Sequence, residues 1–479
     1  MRIYRLRQKL FIVFLGMLHL PFLFEALWYD EAAVIINAKD MSVSEYFHGL
    51  SWLQTSPLGY FLLIKVLLGL EFGILAGRFI SLILLLITVM LVDREYLSKI
   101  KNVSLGYLAL AIFMVNSVSL RYATDVKPYT LELFLSISFL VAAKKNQVGL
   151  LIFLSFITPL FSSTAFIVGF AALVVYGKKY REKRNLISLI TIVLMMFVVS
   201  KFVPPHTRNV MTNEWFGNSS PDVYRGIRSF VGGIFWLPTS GTGWIPDDLA
   251  TSYPLKYELS ALIFLIALAV ITFRQIRSSE FHVLLISGTL LALFNIFRIL
   301  PPAGRLIQGI AMLFSLLFFT SIGTFRKSKI QTAILTPLVL ISVLANMEMK
   351  TSQYSPLASI QNTGKTISVY SNLETAPEIQ YLASKHSIEL NRNIISISLS
   401  GELKGCQNAV MQKGDRVYLR NTGESKSFRL TGFVYRSINP QFGYYAATQK
   451  VSISQIPAAQ KVLECMYLYR NPEIRLVMK

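Results

Sequence analysis

The chain is short of almost everything a soluble enzyme relies on. Charged residues make up only 15% of its 479 positions, with 26 acids against 47 lysines and arginines, five histidines and two cysteines. With mean hydropathy of +0.50 and 53% hydrophobic residues, a soluble globule of this length is excluded. The cysteines, Cys406 and Cys465, rule out a disulfide scaffold and permit one bridge if their part of the chain is extracytoplasmic. No glycine-rich phosphate loop stands at a strand–helix junction, no zinc-type Cys/His spacing occurs, and there is no nucleophile elbow. Soluble-nucleotide chemistry is therefore unsupported. There is no internal repeat or low-complexity tract. The first residues, with Arg2, Arg5, Arg7 and Lys9, carry the charged head of a signal peptide. No small-residue cleavage pattern follows, so the first apolar segment reads as an uncleaved span.

What the chain has is apolar runs, twelve of them, at about 8–28, 57–70, 74–92, 103–120, 128–143, 147–160, 162–176, 185–203, 255–273, 281–299, 306–324 and 330–346. The formal net charge of +21 sits between them in short clusters: the N-terminus; Arg94, Lys99 and Lys101; Lys144 and Lys145; Lys178 to Arg184; Arg274 and Arg277; Arg326, Lys327 and Lys329. Clusters so placed fix membrane orientation and contact anionic lipid; they do not form a nucleic-acid patch, and no nucleic-acid partner is expected. All of them should be cytoplasmic. An odd number of crossings must then separate Asp30 from Arg94, yet two runs lie between. Run 57–70 is the one that does not cross, because its 14 residues reach roughly 21 Å against a hydrocarbon core of about 30 Å, and Lys65 interrupts it.

The expected fold is a polytopic α-helical membrane protein of about 11 transmembrane helices over residues 1–346, followed by a small extracytoplasmic α/β domain over 347–479. The N-terminus is cytoplasmic, in a bacterial inner or plasma membrane. Segments 29–73 and 204–254 become outer-face loops, the latter rich in aromatics (Trp215, Trp236, Trp244) that suit the headgroup level. Short helices 147–160 and 162–176 turn near Pro159 to Ser163. The tail alternates strand-like pieces (367–370, 394–397, 416–419, 428–435) with a helix-like piece at 377–385.

Three constellations on the outer face invite chemistry. Asp30 and Glu31 stand where the first apolar segment ends. An acidic pair there suits a general base or metal ligand, and equally a helix N-terminus. The loop Arg121-Tyr122-Ala123-Thr124-Asp125-Val126-Lys127-Pro128-Tyr129 brings a third carboxylate and two cations to the same face, with Pro128 placed to start the next helix and Asp125 able to cap it. The turn 298–305 ends in Arg305, which either holds an anion, phosphate above all, or snorkels to the interface; Arg78 has the same two readings. His19 and Glu25 in the first span read as packing residues.

In order along the chain, the acidic pair, Gln54-Thr55-Ser56-Pro57-Leu58-Gly59-Tyr60, Leu75-Ala76-Gly77-Arg78, Tyr122 to Tyr129 and Pro302-Ala303-Gly304-Arg305 resemble the GT-C superfamily of membrane glycosyltransferases, which includes the protein O-mannosyltransferases and the lipid A aminoarabinose transferase. The resemblance covers residues 1 to about 325. It implies an inverting transfer, at the outer face, of a sugar from a polyprenyl-phosphate donor to a glycan, lipid or protein acceptor. It also implies Asp30, Glu31 and Asp125 as catalytic acids, a divalent metal (Mg or Mn) on Asp30 and Asp125, and Lys127, Arg305 and Arg78 around the donor phosphate. Where many relatives have His-Pro-Pro the chain has Thr55-Ser56-Pro57, and Ser162-Ser163 stands where a histidine is frequent, so donor or acceptor choice differs. The alternative is a lipid-linked saccharide flippase. It would place its ionisable groups near mid-membrane and often show inverted repeats.

Overall fold

A computed structural model describes residues 2–24, 29–48, 50, 56–70, 73–97, 107, 110, 122–162, 164–180, 183–202, 269–297, 299, 308–322, 369–371, 410–411, 413, 416–420, 433–437, 442–452 and 466–468. Runs 103–120 and 330–346, most of run 255–273, the loop 204–254, the turn at Arg305 and the tail pieces 377–385 and 394–397 lie outside the described residues, apart from Tyr107 and Leu110. The chain divides into two compact units: residues 1–24, 42–49 and 55–350, and residues 25–41, 50–54 and 351–479.

Helix predominates in the first unit. It contains α1 (Arg2–His19), a 3-10 turn (Leu20–Phe24), α3 (Val43–Tyr46), α4 (Leu58–Leu68), α5 (Gly73–Glu95), α6 (Tyr129–Lys144), α7 (Val148–Phe161), α8 (Ala165–Tyr180), α9 (Lys183–Phe202), α10 (Ser279–Ile296) and α11 (Gln308–Ile322). Among the described residues α5 is the one helix long and apolar enough to cross a membrane, and several shorter apolar helices accompany it. On α5 the exposed side chains Leu75, Phe79, Ile83, Ile87 and Met90 form one apolar stripe, while Gly77, Arg78, Ser81 and Thr88 are turned inward. That is the reverse of a water-exposed helix, and it suits hydrocarbon outside and small or polar contacts inside.

The first unit is built around α6. Every residue of that helix is buried except Leu131, Phe134 and Lys144, because α5, α7, α8 and α11 all pack on it. Pro128 stands at its N-cap, where the missing N–H would have had no helical partner. At its far end Asn146 takes a left-handed conformation (φ 53°), as asparagine tolerates, and turns the chain into α7. There Pro159 lies in the last turn, the helix stops at Phe161, and the Ser162 hydroxyl accepts from the N–H groups of Thr164 (3.2 Å) and Ala165 (2.8 Å) to open α8.

The second unit holds α2 (Tyr29–Asp40) and the strands β1 (Val369–Ser371), β2 (Val410–Met411), β3 (Arg416–Arg420), β4 (Phe433–Ser437), β5 (Phe442–Ala447), β6 (Val451–Ser452) and β7 (Met466–Leu468). Five strands make one mixed sheet in the order β4-β5-β3-β1-β7, and β2 pairs with β6. β1 and β3 are parallel, with Tyr370 opposite Val417. A parallel pair needs a crossover connection, and the helix expected at 377–385 falls within that connection. In α2, Glu31 to Ala38 are buried on every face of the helix.

Candidate functional site

The sequence of the first turns of α5 dictates how the loop 122–128 is held. A Cβ on Gly77 would lie 3.2 Å from Val126 Cγ2, so glycine is what lets the loop lie against the helix. One turn on, the Ser81 hydroxyl donates to the Asp125 carbonyl at 3.0 Å. Within the loop the Lys127 N–H donates to the same carbonyl at 2.9 Å, closing a three-residue turn around Val126. Thr130 of α6 donates through its hydroxyl to the Tyr122 carbonyl at 2.9 Å, and the Tyr122 and Tyr129 rings meet edge to face at 4.5 Å. These bonds engage main-chain oxygens.

Four charged side chains are thereby buried at one end of an apolar bundle. Arg78 is 3% exposed, Asp125 2%, Lys127 3% and Glu132, in the first turn of α6, 1%. Arg78 donates through Nη1 to the Leu23 carbonyl at 2.9 Å, tying α5 to the 3-10 turn that ends the first apolar segment. Glu132 accepts from the Thr164 hydroxyl at 3.2 Å, and its own N–H donates to the Pro128 carbonyl at 2.8 Å. It thus sits in the first turn of α6 beside the start of α8, where two positive helix ends favour a carboxylate. Charges so deep among apolar side chains are expensive, and in membrane proteins they mark sites of function.

Of the residues singled out in the sequence, Arg78, Asp125 and Lys127 are brought to this one end. Asp125 is not the cap of α6: it stands three residues before the N-cap Pro128, and the helix has no side-chain cap bond. Asp30 and Glu31 lie in the first turn of α2, in the other unit, where acids suit the positive helix end. The described side chains of α2 begin at Glu31, which is fully buried. Arg305 and Glu25 are outside the described residues. His19 is fully buried among packed helices, as expected of a packing residue. Glu132 was missed by the sequence reading, although a lone acid inside run 128–143 was the signal that could have found it.

Two motif glycines acquire a physical reason here. A Cβ on Gly59, in the motif after Pro57, would lie 2.9 Å from the Leu160 carbonyl and from the Phe161 ring, so α4 starts hard against the end of α7. Gly77 admits Val126 in the same way. The hydroxyl at Ser162, where a histidine is frequent in the resembling family, caps α8.

The opposite ends of α5 and α6 carry charges of another kind. Lys144 Nζ lies 2.6 Å from Glu280 of α10, Lys145 pairs with Glu95, and Arg94 lies 3.4 Å from Glu95. Lys144 also stands 4.3 Å over the Tyr96 ring. Burial pushes the Tyr96 phenol well above its usual range, and the acids Glu280 and Glu95 push it the same way, so the ring faces Lys144 uncharged. This is an ion-paired clasp of helix ends.

For a divalent metal, no group of three His, Cys, Asp or Glu side chains comes together among the described residues, and Asp30 and Asp125 belong to separate units. No family model, curated protein or solved structure matches the chain.

Proposed function

We propose that the chain is a membrane glycosyltransferase that moves a sugar from a polyprenyl-phosphate donor to a hydroxyl on a cell-envelope glycan, lipid or protein at the outer face, with inversion. The observation that carries this reading is the burial of Arg78, Asp125 and Lys127 together at one end of an apolar bundle, on a helix and a loop keyed to each other by Gly77 and Ser81. The proposal includes the crossing pattern read from the sequence: about 11 spans, the N-terminus cytoplasmic and the C-terminal domain extracytoplasmic. Two aspects of the bundle support it. The apolar stripe of α5 suits lipid, and α5, α6 and α8 start at the end that holds the buried charges and finish at the clasp, as the basic clusters require.

In the proposed reaction the acceptor oxygen attacks the anomeric carbon from the face opposite the phosphate. The bond from that carbon to the phosphate oxygen breaks, and its electron pair leaves on the polyprenyl phosphate. The acceptor proton passes to a carboxylate, with an oxocarbenium-like centre between the two partners. Lipid phosphate is a modest leaving group, so the growing negative charge has to be met by cations, the role of Lys127 and Arg78 here and of Arg305 by resemblance. The base falls by resemblance to Asp30 with Glu31, and the second acid to Asp125.

The test is release of polyprenyl phosphate from a labelled polyprenyl-phosphate sugar by the purified protein in lipid nanodiscs, with mass spectrometry of envelope glycans from cells with and without the gene to identify the acceptor. Asp30→Asn and Asp125→Asn should each abolish release while folding normally. Full activity in both would remove the roles given to these acids, and translocation of the lipid-linked sugar across vesicles with no bond broken would replace this reading by the flippase.

A further inference from the structure

A hydroxyl buried in an apolar helix commonly returns to the carbonyl one turn back. Thr88, Ser136, Ser155 and Ser321 do so here, at 2.6 to 2.8 Å. Thr158, the next hydroxyl of α7 after Ser155, does not. It is fully buried, and its Oγ1 has no hydrogen-bond partner among the described residues. The hydroxyl of Ser56, just ahead of α4, is enclosed in the same unpartnered state, although the Ser56 carbonyl is held at 2.7 Å by the Tyr46 hydroxyl. Enclosing a hydroxyl without a partner costs stability, and valine or alanine would avoid that cost.

Both hydroxyls lie beside one contact. Gly59 sets the first turn of α4 against the Leu160 carbonyl and the Phe161 ring; Ser56 stands three residues before that glycine and Thr158 two before Leu160. Five residues further along α4, Ile64 comes within 3.8 Å of where a Cβ of Gly77 would lie, the place that Val126 of the loop approaches to 3.2 Å. The two contacts are thus about 7.5 Å apart along the helix, a spacing comparable with a sugar ring. A sugar joined to a phosphate held by Arg78 and Lys127 can therefore reach the start of α4. We propose that Ser56 and Thr158 bind the donor sugar: their neutral hydroxyls, each able to donate and to accept, meet ring hydroxyls, while the cations keep to the phosphate. The inference rests on the glycosyltransferase reading and adds to it residues that select the sugar, since a site built to hydrogen-bond a substrate hydroxyl rejects ligands that lack it.

The experiment is equilibrium binding to the full-length protein in phosphatidylcholine nanodiscs. The probes are the farnesyl phosphate esters of mannose, glucose, galactose, arabinose and N-acetylglucosamine, and methyl farnesyl phosphate, which has the same charge and no sugar. The wild type should prefer a sugar ester to the methyl diester. Thr158→Val and Ser56→Ala should each cut that preference about fivefold, the order of one neutral hydrogen bond, and leave the methyl diester unchanged. Thr158→Ser should retain it. Ser188 of α9 and Ser287 of α10 are also buried without a partner among the described residues, and alanine at either should leave the preference as it is. Valine fills the space of threonine and removes an unpaired hydroxyl, so the melting midpoint of Thr158→Val should not fall. A preference that ignores Val and Ala, or equal weakening of both kinds of probe, overturns the subsite; release of farnesyl phosphate from the preferred ester would then leave the glycosyltransferase reading standing. The subsite is overturned equally if no sugar ester is preferred, and if none is cleaved either, the reading beneath it falls as well.

Discussion

Replacing Gly309 by alanine should loosen the bundle, although on an isolated helix the same change would strengthen it. Gly309 lies in the first turn of α11, against α6. An ideal Cβ there would fall 2.2 Å from Ser136 Oγ and 2.5 Å from Ser136 Cβ. Unstrained contacts between such atoms lie at about 3.5 to 4.0 Å, so the helices would have to separate by roughly an ångström. Alanine gains about 1 kcal/mol in helix propensity over glycine. Overpacking of a buried contact costs about 1 to 3 kcal/mol, and this one falls at the upper end because the obstacle is the root of a side chain on a helix packed on all sides. The expected net loss is about 1 to 2 kcal/mol, read as a lower midpoint in denaturant titration of the protein in mixed micelles. Ser136→Gly removes both obstructing atoms, together with the 2.8 Å bond from the Ser136 hydroxyl to the Glu132 carbonyl. In the Ser136→Gly background the alanine should therefore be tolerated, with a coupling of about 1 kcal/mol or more between the two sites. An alanine variant as stable as the wild type, or two effects that simply add, would show that the close approach of α6 and α11 does not hold them together.

Other expectations follow from the same geometry. Gly77→Leu should displace the loop 122–128 and abolish donor cleavage while α5 still forms, since the side chain would occupy the space of Val126; retained cleavage would argue against loop placement by that glycine. Alanine at Lys144 and Glu280, singly and together, should give a coupling of about 0.5 to 1 kcal/mol that falls with added salt, because the two side chains are 27% and 16% exposed. Glu45 closes a capping box on α3: it accepts from the Ser42 N–H at 2.5 Å, and that bond and the Ser42 hydroxyl hold its carboxyl below the ordinary value. A depressed carboxyl stabilises the fold above its unfolded value of 4.5 and ceases to do so as pH falls through its folded value. Melting curves of Glu45→Gln and wild type should thus differ at pH 6 and converge in acid, and a constant gap would contradict the box.

Helices were legible where an apolar run had a clear stop at each end. Run 128–143 became Tyr129–Lys144, bounded by Pro128 and Asn146; run 147–160 became Val148–Phe161; run 185–203 became Lys183–Phe202. The first run was legible only in part, since it is helical to His19 and then tightens to a 3-10 turn at Pro21, whose ring supplies no N–H. In the tail, β3 and β1 fall where β-branched and aromatic residues alternate. β5 was missed because Gly443 weakens the strand pattern, and only its pairing with both β3 and β4 makes it a central strand. Sheet order is not written in local sequence at all. In the site, charge type flagged Arg78, Asp125 and Lys127. Glu132 escaped because it is one acid inside an otherwise apolar helix, and its partner Thr164 lies 32 residues on.

The two ends of α5 and α6 solve the problem of charge in an apolar bundle in opposite ways, and the difference bears on what each end is for. At the clasp, Lys144 pairs with Glu280 and Lys145 with Glu95, side chain to side chain, and the two lysines are partly exposed. Exchanging such pairs for apolar residues of similar size commonly leaves stability unchanged, and nothing there calls for chemistry. At the other end the side chains are almost wholly enclosed: Ser81 holds the Asp125 carbonyl, Arg78 donates to the carbonyl of Leu23, and Glu132 accepts from the Thr164 hydroxyl. Charges so enclosed among apolar side chains are costly to keep for cohesion alone. Their retention is accounted for if the carboxylate and the two cations meet a ligand that carries charge of its own. Asp125→Asn therefore discriminates between the two cases. An unchanged melting midpoint together with lost donor cleavage assigns the carboxylate to chemistry, whereas a lowered midpoint that corresponds to a loss of several kcal/mol in stability returns it to the architecture.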